Sequence, residues 1–123
     1  MKIRGVDFVM LPVADLAAAA RFYRDVLGIP QSILSEEDQW AEFDCGNVTL
    51  ALKGGERPAA SRAAEGRIAL AVEDIHAAFV ELQHQGATVV GEPTDHGVCW
   101  HLEVRDPDGH AVILHRRADG TAG

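Results

Sequence analysis

The chain has 123 residues and a formal net charge of −8, with 47% of its residues hydrophobic and 24% charged, the composition of an ordinary globular chain long enough for one core or two small halves sharing one. The acidic balance argues against nucleic acid or an anionic membrane as a partner, since both need a basic face, and mildly favours a neutral or cationic small molecule. No run approaches the roughly 18 consecutive apolar residues that a membrane span requires.

At the N-terminus, Met1-Lys2-Ile3-Arg4 leads into a short run broken by Asp7 with no cleavage-site pattern, so no secretory signal is expected. Ile3 to Pro12 alternates as a strand, and Pro12, which cannot donate to a ladder, places it at a sheet edge or ends it there. Val13-Ala14-Asp15-Leu16 follows, and Val72-Glu73-Asp74-Ile75 repeats it 59 residues later. Each copy closes an apolar run and opens an alanine-rich helical pattern that stops at a glycine, Gly28 or Gly86. The aspartate is placed to cap the helix and the glycine to supply the left-handed residue beyond it. The first helix is expected over Asp15 to Leu27, with Leu16, Ala19, Ala20, Tyr23 and Leu27 on its buried stripe. Ile33 to Ser35, Trp40 to Asp44 and Val48 to Lys53 read as short strands, and residues 54–65, with Gly54-Gly55 and Pro58, as a linker.

The second copy reads as a strand over Arg67 to Val72, a helix over Asp74 to Gln85 with Ile75, Ala78, Phe79 and Leu82 inward, and a brief strand over Thr88 to Val90. Val98 to Arg105 and His110 to His115 flank Asp106-Pro107-Asp108-Gly109, a hairpin signal. If Gly109 makes a one-residue bulge, Arg105 pairs near Ala111, Glu103 near Ile113 and His101 near His115, and all six share one face. A tight two-residue turn would shift the pairing by one and break that set. The chain is therefore expected to be one α+β domain over 1–123, made of two βαβββ repeats at 3–53 and 66–116, with a flexible tail at 117–123.

The two βαβββ units, the Val-x-Asp-Leu followed by Phe22-Tyr23-Arg24-Asp25-Val26-Leu27-Gly28, and the closing Asp-Pro-Asp-Gly resemble the vicinal oxygen chelate superfamily over residues 3–116. That group includes glyoxalase I, extradiol dioxygenases, and fosfomycin- and bleomycin-resistance proteins. The resemblance implies curved mixed sheets around a cavity, helices outside, and a homodimer. It specifies the fold and says little of the chemistry, because members do unrelated reactions on one scaffold. The enzymes hold a metal on one residue from the first and one from the last strand of each unit. Carried onto this chain those positions are Phe8, Ala51, Arg67 and Ile113, and none is a metal donor.

The resemblance is therefore closer to the metal-free bleomycin-resistance type, with Pro12 after the first strand and Trp40 before the third. It implies a protein that sequesters a natural product or metabolite without a cofactor, as in antibiotic resistance; the acidic balance favours a cationic guest, and the cysteine usage without a signal pattern a cytoplasmic location. The cavity-lining residues are then Phe8, Met10, Trp40, Phe43, Thr49, Ala51, Arg67, Ala69, Cys99, His101, Glu103, Ile113 and His115. The alternative is an enzyme, either with a relocated metal on His101, Glu103 and His115 or with Glu103 and His101 as an acid–base pair acting on a small carbonyl compound. Each polar residue also has a plainer reading. His101 and His115 form a solvated cross-strand pair; Arg67, which could anchor an anionic ligand, equally well ion-pairs with Glu103; and Cys99, which could be a nucleophile with a histidine base, is a small buried thiol. His76, His84, His96 and His110 read as solvated. Cys45 and Cys99 show neither metal nor redox spacing, which fits a reducing compartment.

Overall fold

A computed structural model describes residues 1–56 and 67–123; most of the expected linker, 57–65, lies outside the described residues. The chain falls into two compact units, Met1–Pro58 and Ala59–Gly123. Each is a βαβββ repeat whose four strands form one open mixed sheet, so the α+β class holds.

The first unit runs β1 (Phe8–Pro12), α1 (Leu16–Arg21), β2 (Gln31–Ser35), β3 (Trp40–Asp44) and β4 (Thr49–Lys53), in the sheet order β1-β4-β3-β2. β1 pairs parallel with β4 from Phe8 opposite Thr49 to Pro12 opposite Lys53, and the other pairs are antiparallel. Strand β1 begins five residues later than the expected Ile3, because β4 is five residues long and offers no ladder partner upstream of Phe8. It lies at the sheet edge, where a proline is tolerated.

Asp15 caps α1, its Oδ1 accepting from Ala18 N at 3.1 Å. After one and a half turns the helix widens into a π turn over Phe22–Val26, with Leu27 N donating to Phe22 O five residues back. The extra residue rotates the stripe. Phe22 and Tyr23 are both buried, meeting edge to face at 5.1 Å, while the expected Leu27 is only half-buried and Ile29 is buried in its stead. Helix α1 packs on β3 and β4, where Ala41, Phe43, Leu50 and Leu52 complete the core. Gly54, just past β4, holds the helix start close: a Cβ there would sit 2.8 Å from Leu16 Cβ and 2.6 Å from Gln39 Oε1.

The second unit runs β5 (Arg67–Ala71), α2 (Ile75–His84), β6 (Thr88–Asp95), β7 (Cys99–Arg105) and β8 (Ala111–Arg117), in the order β5-β8-β7-β6. Leu102, Val104, Val112 and Leu114 form its core with Ile75 and Leu82 of α2. Strand β6 is longer than the expected Thr88 to Val90: the register slips between Val90 and Thr94, around Gly91 at φ +76°, and pairing then resumes to Asp95. The tail also starts later than expected, since Arg117 is still in β8 and Ala118 N donates to Val98 O.

Asp74 Oδ1 accepts from His76 N at 3.1 Å and Ala77 N at 3.0 Å, and Gly86 past the helix takes φ +68°. Replacing Asp74 by Ala leaves both amides without that acceptor and should cost about 1 kcal/mol. A thermal melt of Asp74→Ala checks this, and an unchanged midpoint would remove the cap from the account.

Candidate functional site

In each sheet one face is covered by the unit's own helix and the other is free of it. Strand alternation and register assign residues to these faces. The helix-free face of the first sheet carries Phe8 and Met10 from β1, Thr49, Ala51 and Lys53 from β4, and Trp40 and Glu42 from β3. Phe8 sits in the row of Thr49 and Asp44, and Trp40 in the row of Lys53 and Pro12, at diagonal corners of this patch. Their rings nevertheless meet edge to face, with centroids 5.8 Å apart and planes at 89°. The midpoint of that diagonal is Ala51, flanked by Met10 and Glu42, which accounts for a methyl group on an otherwise open face being 0% exposed. The rings form an apolar shelf whose outer side stays accessible, Phe8 being 49% exposed.

Phe43, grouped above with the cavity lining, faces the other way. It is 0% exposed and packs on Tyr23 of the π turn at 6.0 Å, so it belongs to the core. Trp100 is likewise on the helix side, its ring 4.8 Å from that of His76 in α2, and His76 itself is exposed, as the solvated reading expects.

The helix-free face of the second sheet reads in rows across β5, β8, β7 and β6. Arg67, Ala111, Arg105 and Thr88 form the first row and Ala69, Ile113, Glu103 and Val90 the second. Ala71, His115, His101 and Thr94 form the third, and beyond them Arg117 pairs with Cys99. The bulged register of the Asp106 hairpin is thus the one formed. Gly109 takes φ +86°, and Asp106 Oδ1 accepts from Asp108 N at 3.0 Å and His110 N at 2.7 Å. That turn buries His110, contrary to the solvated reading.

Glu103 is the centre of this face. Its Oε1 accepts from Arg67 Nη1 at 3.0 Å and its Oε2 from Arg105 Nη2 at 3.0 Å, with the carboxylate side chain only 11% exposed. Arg105 also donates through Nη1 to Gly109 O at 3.1 Å, which ties the pair to the hairpin turn. The expected Arg67–Glu103 ion pair is formed, and Arg105 is the partner that the reading of the sequence missed, although it lies two residues along the same strand face. His96 was missed as well: its Nε2 lies 2.6 Å from His101 Nδ1 with the rings stacked, one nitrogen donating and the other accepting. The two sit either side of the β6–β7 turn, closed by the His96 N to Cys99 O bond. Cys99 is half-buried on the His101 face. The other thiol, Cys45, follows β3, and burial pushes its pKa up, away from the thiolate form.

Residues 5–114 match the family described as the Glyoxalase/Bleomycin resistance protein/Dioxygenase superfamily. The chain belongs to that superfamily. Among its relatives is the lactoylglutathione lyase of Neisseria meningitidis, 30% identical over 129 residues, covering 90% of this chain and 89% of the relative. A probable lactoylglutathione lyase of Vibrio parahaemolyticus is 28% identical, covering 93% and 91%. Among solved structures, TnmS3, an antibiotic binding protein from Streptomyces sp. CB03234, superposes with a TM-score of 0.80 at 24% identity, covering 96% of this chain and 99% of that one. The last likeness is one of fold.

Superfamily membership raises the question of a metal, and the four positions carried over from the resemblance do not fit one. Phe8 offers a ring engaged with Trp40, Ala51 a covered methyl, Ile113 an alkyl chain, and Arg67 a cation already paired with Glu103. The relocated set of His101, Glu103 and His115 fares no better in this geometry: both oxygens of Glu103 point at guanidiniums and Nδ1 of His101 is engaged by His96. Among the described residues no group of three or more His, Cys, Asp or Glu is arranged to hold a metal ion. Also among the described residues, no helix is long and apolar enough to cross a membrane.

Proposed function

We propose that this member of the superfamily is a metal-free small-molecule-binding protein that sequesters a natural product or metabolite on the helix-free faces of its sheets. One observation carries the reading: where the superfamily's enzymes draw their metal ligands, this chain has a phenyl ring, a methyl, a paired guanidinium and a butyl group, a surface that can grip a guest and has no donor for an ion. The Phe8–Trp40 shelf is suited to an apolar or aromatic body, and the Glu103 cluster to polar anchoring, the usual division of labour in a ligand site. The antibiotic-binding name of TnmS3 supports the same class. The outermost strands of each sheet, β1, β2, β5 and β6, favour a homodimer in which a second copy covers some of them, and the free Cys45 and Cys99 favour a reducing compartment, the cytoplasm.

The lyase names of the Neisseria and Vibrio relatives favour a second reading, an enzyme using Glu103 and His101. Two measurements separate the readings. Protein purified without chelator should contain no stoichiometric nickel, zinc, iron or manganese and should lack lactoylglutathione lyase activity. Trp40 fluorescence should respond saturably to a guest in a panel of natural products. A stoichiometric metal lost on His101→Ala, or turnover lost on Glu103→Gln, would replace the binding reading with the enzymatic one.

A further inference from the structure

We infer that the helix-free face of the second sheet is an anion-binding face and that its guest is an organic acid whose carboxylate docks on Arg67 and Arg105. The inference deepens the proposed binding function and rests on it. Among the described residues the paired rows of this face hold three arginines, Arg67, Arg105 and Arg117, and one carboxylate, Glu103, while Glu92 stands exposed in the irregular stretch of β6 between Val90 and Thr94, at the edge away from Arg67. Arg117 stands at the far end, donating to Thr121 Oγ1. Around Glu103, two guanidiniums against one carboxylate leave one uncompensated positive charge. Glu103 does not neutralise the pair; it sets the two forks in place, one on each oxygen.

Arg67 gives Glu103 only its Nη1, and its side chain is 50% exposed, so Nε and Nη2 have no protein partner among the described residues. A guanidinium edge of this kind matches a carboxylate in plane and in spacing, which an ammonium does not. Between the two arginines the row holds only the methyl of Ala111, and the next row supplies Ala69 and Ile113 on one side of Glu103 and Val90 on the other, apolar groups beside the charge. A single excess charge next to apolar groups specifies a monoanion with an apolar body. The −8 of the whole chain favours a cation only at long range, and salt at cellular strength screens it within about 8 Å. At contact the local sign decides.

Three probes sharing one body test this: phenylpropionate, phenylpropionamide and phenylpropylamine, titrated calorimetrically into the full chain. The acid should bind, with the amide and the amine weaker by about 10-fold or more. Arg67→Gln and Arg105→Gln should each weaken the acid by about 10- to 100-fold without affecting the amide. Because the variants bear on the fold as well, a salt series on the unaltered protein is the second measurement, and salt should weaken the acid alone. Binding that prefers the amine, ignores the head group, or is insensitive to both substitutions and to salt overturns the anion assignment and leaves the binding function standing. No heat from any probe also overturns the anion assignment, and the natural-product titration then decides the binding function by itself.

Discussion

Replacing Phe43 by Ala should destabilise the first unit by about 3–5 kcal/mol, whereas Phe8→Ala should cost under about 1 kcal/mol. Both are phenylalanines in adjacent parts of one sheet, and sequence offers no reason to separate them. The structure does: Phe43 is 0% exposed against Tyr23, while Phe8 is 49% exposed and meets Trp40 edge to face on the helix-free face. Truncating Phe43 opens a cavity that the π turn and β4 cannot collapse into, and a loss of that size is a large share of the roughly 5–15 kcal/mol that holds a typical domain together. Truncating Phe8 removes half-solvated surface and leaves no void. The chain has two tryptophans, one in each unit, so urea melts in a Trp100→Phe background read the first unit through Trp40 alone. Equal costs for the two substitutions would mean that the faces have been assigned the wrong way round, and with them the apolar shelf of the site.

The contrast also marks where reading the residues reaches its limit. What was legible is local. The Asp15 and Asp74 caps act over two or three residues, Gly28 and Gly86 at φ +71° and +68° end their helices in place, and the Asp106 turn forces the register that gathers His101, Glu103, Arg105, Ala111, Ile113 and His115. Such features depend on backbone chemistry within a turn, so they survive without knowledge of the rest of the fold. The repeat then supplied the topology by analogy between copies. What was illegible depends on packing across elements. Alternation puts Trp40 and Phe43 on opposite faces, but only Tyr23 decides which of them is inside. That decision in turn depends on the π turn, whose five-residue hydrogen bond leaves no compositional trace. The extension of β6 past Gly91 and the His96–His101 contact across its turn are of the same kind, products of sheet pairing that a short apolar run does not announce.

The site has the opposite character to the core, and a second large effect follows from it. Glu103→Leu should destabilise the second unit by about 1–3 kcal/mol, while Arg67→Met should cost at most about 1 kcal/mol. The asymmetry comes from burial: the carboxylate is 11% exposed, the guanidiniums of Arg67 and Arg105 50% and 32%. Losing Arg67 strips one partner from a carboxylate that keeps the other, at an exposure where solvent takes up the vacated oxygen. Losing Glu103 leaves two cations sharing a row with nothing between them but Ala111, so repulsion is added to the lost bonds. The two arginine substitutions should then be strongly non-additive. Either one alone is mild, but Arg67→Met with Arg105→Met leaves Glu103 buried without a counter-charge, and the pair should cost more than the sum of the singles. Melts followed through Trp100 in a Trp40→Phe background measure all four variants. If the double substitution proves additive, or if Arg67→Met matches Glu103→Leu, Glu103 is not the hinge of the cluster and the positive face loses the residue that organises it.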